Sequence, residues 1–240
     1  MDTVRFVFGI FGNATALFLF LAPTITFKRI MQNKSTEQFS GIPYVMALLN
    51  CLFAAWYGLP FISKNNILVA TINGTGTVIE AIYILLFLIF APKKEKAKIF
   101  GLLVLVLAVF AALASISLFV LDGSPRKLLC GLALTIFSTA MYAAPLSVMR
   151  MVIKTKSVEF MPFFLSLFVF LCGTSWFVYG LLGHDPFVAI PNGLGCALGI
   201  MQLILYFIYH KNKNSQPLQK PSVEMATTDS HQHKQFDMSV

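Results

Sequence analysis

The sequence predicts an all-α membrane protein: seven transmembrane helices as 3+1+3 parallel repeats, two three-helix bundles joined by a linker helix. Three observations carry that reading. The 240 residues are 57% hydrophobic and 12% charged, about half the charge of an ordinary soluble domain, and the mean hydropathy is +0.77. The charges gather into short clusters, and the gaps between them are each as long as the ~20 apolar residues that cross a hydrocarbon core. The sequence of the first three gaps then returns in the last three.

The gaps run 6–27, 38–63, 65–91 (interrupted only by Glu80), 99–121, 128–149, 160–183 and 186–209. None alternates with period two, which excludes a barrel of strands. Residues 9–35 match 131–157 at a spacing of 122: Gly9 falls on Gly131, Pro23 on Pro145, Lys28 on Arg150 and Lys34-Ser35 on Lys156-Ser157. A three-residue gap then sets Pro43 on Pro162, Tyr57-Gly58 returns at Tyr179-Gly180, and a shorter loop sets Asn73 on Asn192 at a spacing of 119. Several pairs in order, with two small gaps, are a duplication. Three crossings end on the side opposite their start, so a second copy in the same orientation needs an odd number of extra crossings. Span four has no proline and no strong polar motif and supplies one, which relates the copies by a pseudo-two-fold axis along the membrane normal. The expected units are 5–91 for the first repeat, 92–127 for the linker helix with its flanks, 128–210 for the second repeat, and 211–240 for a polar, disordered tail.

Fourteen of the 18 basic residues lie after spans one, three, five and seven; only Arg5, Lys64, Arg126 and Lys127 lie on the other side. The positive-inside rule puts the N-terminus outside and the C-terminal tail in the cytosol. The net charge of +8 is therefore a signal of topology, and nucleic acid is excluded as a partner. Cys51, Cys130, Cys172 and Cys196 fall within or at the ends of spans and read as small packing residues. The first span begins at once and is too long for a cleavable leader. Sequons at Asn13, Asn33 and Asn73 lie in spans or on the cytosolic side and are expected to stay unmodified.

The stretches "VATINGTG" at 69–76 and "VAIPNGLG" at 188–195 place one asparagine each in the same apolar setting. A pseudo-two-fold axis brings such paired positions together, so Asn73 and Asn192 are expected to face each other. Each amide offers an acceptor and two donors, enough to grip a solute that both donates and accepts. The plainer alternative is that each merely bonds a neighbouring helix. Gly74, Gly76, Gly193 and Gly195 permit close helix approach.

The motifs "NGTG", "AAWYGLPF", "TKSVEFMPFFLSLF", "GTSWFVYGL" and "DPFVAIPNG" resemble the SWEET family of sugar facilitators, most closely its plant hexose-transporting branch, and the resemblance covers residues 5–210. It implies bidirectional, uncoupled passage of a monosaccharide, most simply glucose, by alternating access in the plasma membrane, with the sugar and the lipid bilayer as partners and homo-oligomers left open. No cofactor is expected.

Residues four apart share a helix face. The pairs Leu19/Met141, Asn50/Cys172, Ala54/Trp176 and Asn73/Asn192 thus make a ring around the axis, and they resemble the family's pocket positions. Trp176 would lay its indole on the C–H face of a pyranose; the alternative is an interfacial belt anchor. Position 54 is Ala where the resemblance leads to Ser or Trp, which leaves the size of the sugar open. Pro23, Pro43, Pro145 and Pro162 read as symmetric kinks forming an inner hinge and gate, or, for Pro43 and Pro162, as helix starts. The resemblance implies an outer closure by a Tyr57–Asp185 hydrogen bond; a solvated loop acid is the alternative for Asp185. Glu80 breaks the symmetry, its partner being Gly199. It reads as a buried carboxyl bonded to another helix, with proton coupling as the other option. The remaining readings are a proton-coupled amino-acid carrier of the PQ-loop type, though no Pro-Gln pair lies at a kink, and a seven-span receptor, which would lack the repeat. No catalytic or metal constellation suggests an enzyme; His184, His210, His231 and His233 all lie in loops or the tail.

Overall fold

The structure is a computed structural model and describes residues 2–210. The tail expected over 211–240, with its lysines, lies outside the described residues. Nine helices occur among them: α1 (Thr3–Leu21), α2 (Thr24–Asn33), α3 (Ile42–Tyr57), α4 (Ile67–Phe90), α5 (Lys93–Phe119), α6 (Gly123–Ala140), α7 (Ala143–Thr155), α8 (Phe163–Leu182) and α9 (Pro186–Tyr209). They make seven spans, because α1–α2 and α6–α7 are each one long crossing with a break. Six crossings are long and apolar enough to span a membrane. The remaining one, α3, has 16 residues where the sequence predicts a run over 38–63. Pro43 in its first turn and Gly58 with Pro60 at its end set these limits, and the chain finishes the crossing in turns.

The breaks follow from proline. Pro23 lacks an N–H, the Ala22 N–H turns to Phe18 O and Leu19 O, and α2 starts afresh at Thr24. In the second copy α6 ends at Ala140, and Pro145 is the third residue of α7. The break therefore falls just N-terminal to the proline, where its ring would clash with the carbonyl four residues back. Pro43 and Pro162 instead begin helices, one in the first turn of α3 and one as the N-cap of α8. The expected set of four equivalent kinks is thus two breaks and two starts.

Backbone geometry repeats with the sequence. The left-handed residues Lys34 and Lys156 cap α2 and α7, and left-handed Asn65 and His184 precede α4 and α9. Between α2 and α3, exposed Glu37 accepts from Arg29 Nη2 at 2.6 Å and from Asn33 Nδ2 at 2.6 Å. These bonds, the Arg29 guanidinium first, hold its carboxyl below the ordinary carboxylate value.

One core fills the first repeat, around Phe27, Ile30, Leu49, Phe53 and Phe87, and the linker α5 adds Ile99 and Val106 to it. Trp56 Nε1 donates to Ser117 Oγ of α5 at 3.0 Å, which fastens the linker to that side. The second repeat has a smaller core of Met149, Val152, Val158, Met161 and Leu198. A third cluster joins the repeats, as α1 packs on α8 and α3 packs on α6.

Within each repeat two helices meet at a glycine. A Cβ on Gly58 would lie 2.5 Å from Ala70 N, and one on its repeat partner Gly180 would lie 2.6 Å from Ala189 N. The obstacle is backbone, which cannot step aside as a side chain can. Gly58→Ala and Gly180→Ala are each expected to destabilise by roughly 1–3 kcal/mol, the usual cost of overpacking, seen as a lower melting temperature of detergent-solubilised protein.

Candidate binding site at the repeat seam

A cavity of about 190 Å³ opens at the seam. Seven of the eight predicted lining residues border it: Leu19, Asn50, Ala54, Asn73, Cys172, Trp176 and Asn192. Met141 does not. It sits at the α6 C-cap, inside the break, where the helical register that would aim it like Leu19 has ended. Phe20 and Ser138 line the cavity without having been singled out from sequence. The repeat partner of Ser138 is Ala16, so symmetry gave no signal for it.

Asn73 Nδ2 donates to Val69 O at 2.9 Å and Asn192 Nδ2 to Val188 O at 2.8 Å. Each amide therefore spends one N–H on its own helix, four residues back, rather than on a neighbouring helix. Its Oδ1 and second N–H remain for the cavity. Both side chains thus make the same bond, to the carbonyl four residues back. Asn50 Oδ1 accepts from Ser138 Oγ at 2.6 Å.

Trp176 is buried, at 6% exposure, and stands edge-on to Tyr179 with ring centroids 5.1 Å apart. Its indole packs where α1 has Gly12, whose Cβ would come within 2.9 Å of it. It is a wall of the seam, not an interfacial anchor. Pro191, inside α9, also borders the cavity, and its carbonyl accepts from Tyr142 OH.

On the face poor in basic residues lies a buried polar plug between the repeats. Tyr57 OH donates to the Asp185 carboxylate, 2.8 Å from both oxygens. Asn66 Nδ2 donates to Asp185 Oδ2 at 2.7 Å and to Ser63 Oγ at 2.6 Å. Arg5 Nη2 donates to Asn66 Oδ1 at 2.7 Å, and its guanidinium lies 4.3 Å from the centre of the Tyr179 ring. Asp185 is 3% exposed and caps α9 by accepting from Phe187 N, so it is not a solvated loop acid. An isolated buried carboxylate would be expensive. Here donors from α3, from the turn before α4 and from α9 surround it, and Arg5 supplies positive charge through Asn66.

The plug is also a repeat feature. Tyr57 pairs with Tyr179 at a spacing of 122, and Asn66 pairs with Asp185 at 119. Both Asn66 and Asp185 are N-caps, of α4 and α9. One member is an amide and the other an acid, so donor meets acceptor across the axis.

Glu80 is 4% exposed, and its Oε2 has no hydrogen-bond partner among the described residues. The expected bond to another helix is absent among the described residues. Tyr83 OH, about one turn further along the same helix, bonds Phe20 O at 3.1 Å and Thr24 Oγ1 at 2.8 Å, closing the backbone freed by the Pro23 break. All four cysteines are free thiols. Among the described residues no group of three or more His, Cys, Asp or Glu could hold a metal.

Duplicated three-helix bundles around a small, partly polar chamber, with a buried hydrogen-bonded plug between them, define a membrane transporter for a small polar solute. The family described as "Sugar efflux transporter for intercellular exchange" matches residues 6–95 and 128–214, one stretch for each repeat. The bidirectional sugar transporter SWEET1 of Arabidopsis thaliana is 74% identical over 216 residues, covering 90% of this chain and 87% of its own length. SWEET1a of Oryza sativa subsp. japonica is 67% identical over 213 residues, covering 89% and 78%. A solved structure of a eukaryotic SWEET transporter superposes with a TM-score of 0.86 at 49% identity, covering 88% of this chain and 99% of that one. The chain belongs to the SWEET family of sugar transporters.

Proposed function

We propose that this chain carries monosaccharides, glucose foremost, in either direction and without a coupled ion, by alternating access in the plasma membrane. The observation that supports it most is the pair of amides, Asn73 and Asn192, in one small chamber beside the Trp176 indole. A sugar hydroxyl left unpaired in an apolar setting loses roughly 2–7 kcal/mol, so bare lipid is a severe barrier to a hexose. The amides replace part of the lost hydration and the indole covers the C–H face. A volume of about 190 Å³, small beside the ~300–1,000 Å³ of drug-sized pockets, suits one ring better than two. Passage requires a site that binds well enough to admit the sugar and weakly enough to release it.

On the positive-inside rule, the face that carries the plug lies outside. The conformation described here is then closed to the exterior, with Tyr57 and Asp185 as the outer gate. The Pro23 and Pro145 breaks serve as hinges on the cytosolic side, and Pro43 and Pro162 anchor the neighbouring helix starts.

The test is a panel of glucose and sucrose in proteoliposomes, with and without a pH gradient, on the wild type and Glu80→Gln. Glucose is expected to equilibrate, sucrose to lag, and the gradient to drive no accumulation. The glutamine keeps the shape of a neutral acid, so it is expected to leave flux and its pH response unchanged. Uphill uptake that vanishes in Glu80→Gln would replace this reading with a proton-coupled one, which the unpartnered carboxyl invites.

A further inference from the structure

Each repeat breaks its first crossing at a proline, but only one break is bridged. Tyr83 of α4 stands against the gap between α1 and α2. Its hydroxyl donates to Phe20 O of α1 at 3.1 Å and bonds Thr24 Oγ1 of α2 at 2.8 Å. Phe27 of α2 stacks on the same ring, with centroids 4.5 Å apart. One side chain thus grips both sides of the break.

The second repeat lacks that bridge. At spacings of 122 and 119, Thr24 falls on Leu146, Phe27 on Met149 and Tyr83 on Gln202. Leu146 has no hydroxyl and is 50% exposed. Gln202 is buried, and its Oε1 has no hydrogen-bond partner among the described residues. Across the break itself, Ala144 N reaches Met141 O only at 3.4 Å. Tyr142 gives its hydroxyl to Pro191 O, which anchors the break to α9 without bridging α6 and α7. An unpaired buried amide oxygen disfavours the arrangement that holds it, so this repeat is the easier one to rearrange.

The cytosolic loops differ in the same sense. Arg29 and Asn33 of α2 hold Glu37, but their counterparts are Met151 and Thr155, which leaves Glu159 without that pair of donors. At the end of α7, Lys156 Nζ donates to Tyr209 OH of α9 at 3.0 Å. That contact is exposed, and water readily replaces it. The linker α5 packs into the core of the first repeat, which stiffens that side further.

We infer that the two breaks are unequal hinges: Tyr83 is a positioning residue that holds the α1–α2 break, and the inner mouth opens and closes chiefly by movement of α7 about the α6–α7 break. The inference rests on reading the chain as an alternating-access carrier.

The experiment compares two symmetric cross-links in proteoliposomes. Lys156→Cys with Tyr209→Cys ties α7 to α9, and Lys34→Cys with Phe90→Cys, at the equivalent repeat positions, ties α2 to α4. Each is treated with a short bis-maleimide, and with a monofunctional maleimide as its control. The α7–α9 tie is expected to slow glucose exchange about tenfold or more, as befits a blocked hinge, and the α2–α4 tie to change it little. Hydrogen exchange of the wild type is the second measurement, since it needs no cysteines. Amides at 141–147 should exchange faster than those at 20–27, and only the former should respond to glucose. In Tyr83→Phe the amides at 20–27 should exchange about tenfold faster, the worth of two lost hydrogen bonds. Equal slowing by both ties, greater slowing by the α2–α4 tie, or matching exchange at the two breaks would overturn the inference. So would unchanged exchange at 20–27 in Tyr83→Phe. A wild type that carries no glucose is a separate outcome: it removes the carrier reading, while hydrogen exchange still compares the two breaks.

Discussion

Asn73→Ala and Asn192→Ala are each expected to abolish tracer glucose flux in a cell lacking its own hexose uptake, while the protein reaches the surface in normal amount. The separation of effects follows from the geometry. Each amide bonds only to a carbonyl of its own helix, Val69 or Val188, and both carbonyls already lie within regular α-helix. Removing the amide therefore leaves no unsatisfied partner in the fold. It does leave a sugar hydroxyl facing an apolar wall. One such loss is worth roughly 1–3 kcal/mol, or up to about a hundredfold in occupancy, and a carrier must pay it in each conformation the sugar visits. Because the two residues are equivalent by the repeat, their losses should be similar in size. Normal flux in both variants would take the asparagines out of the site.

Asn66→Asp is the second substitution expected to act strongly, and it does so without touching the cavity. Asn66 is 1% exposed and donates to Asp185 Oδ2 at 2.7 Å. An aspartate there sets two buried carboxylates face to face with a single guanidinium, Arg5, between them and neutrality. Like charges at that distance cannot both ionise, so the plug either opens or takes up a proton. Flux at neutral pH should fall by about tenfold or more, with the carrier biased toward the outward-open form. Cys172 borders the cavity and reports this directly: an impermeant thiol reagent applied outside should modify it faster in Asn66→Asp than in the wild type. Acidification supplies the proton that the paired carboxylates share, so flux in the variant should recover as pH falls. Wild-type flux should show no such acid recovery. Slow modification of Cys172 together with unchanged flux would mean that Asn66 is no part of the closure.

Much of the molecule is written plainly in its sequence. The seven crossings follow from where charge is absent, and the duplication follows from prolines, glycines and asparagines recurring at fixed offsets. The same offset brought the cavity residues together, because an axis of symmetry converts sequence spacing into proximity. It failed where symmetry is broken. Met141 lost its place because the second broken helix parts at that residue, whereas Leu19 still lies in α1. Ser138 was invisible because its counterpart is alanine. The plug was half legible: Tyr57 and Asp185 came from family resemblance, but Asn66 lies 119 residues before Asp185 and was hidden by the change from acid to amide. Arg5 and Ser63 carry no pattern at all, and only the folded chain shows what they hold. Glu80 was expected to bond another helix, and its Oε2 has no partner among the described residues.

The Asn66–Asp185 contact has an evolutionary corollary. A homodimer of single three-helix units must place the same residue on both sides of its dyad. At equivalent positions it can set amide against amide or acid against acid, never amide against acid. An amide facing an acid at equivalent positions requires two halves that differ in sequence, as the repeats of this one chain do. The covalent join thus did more than tether two subunits: it freed each from having to be its own complement.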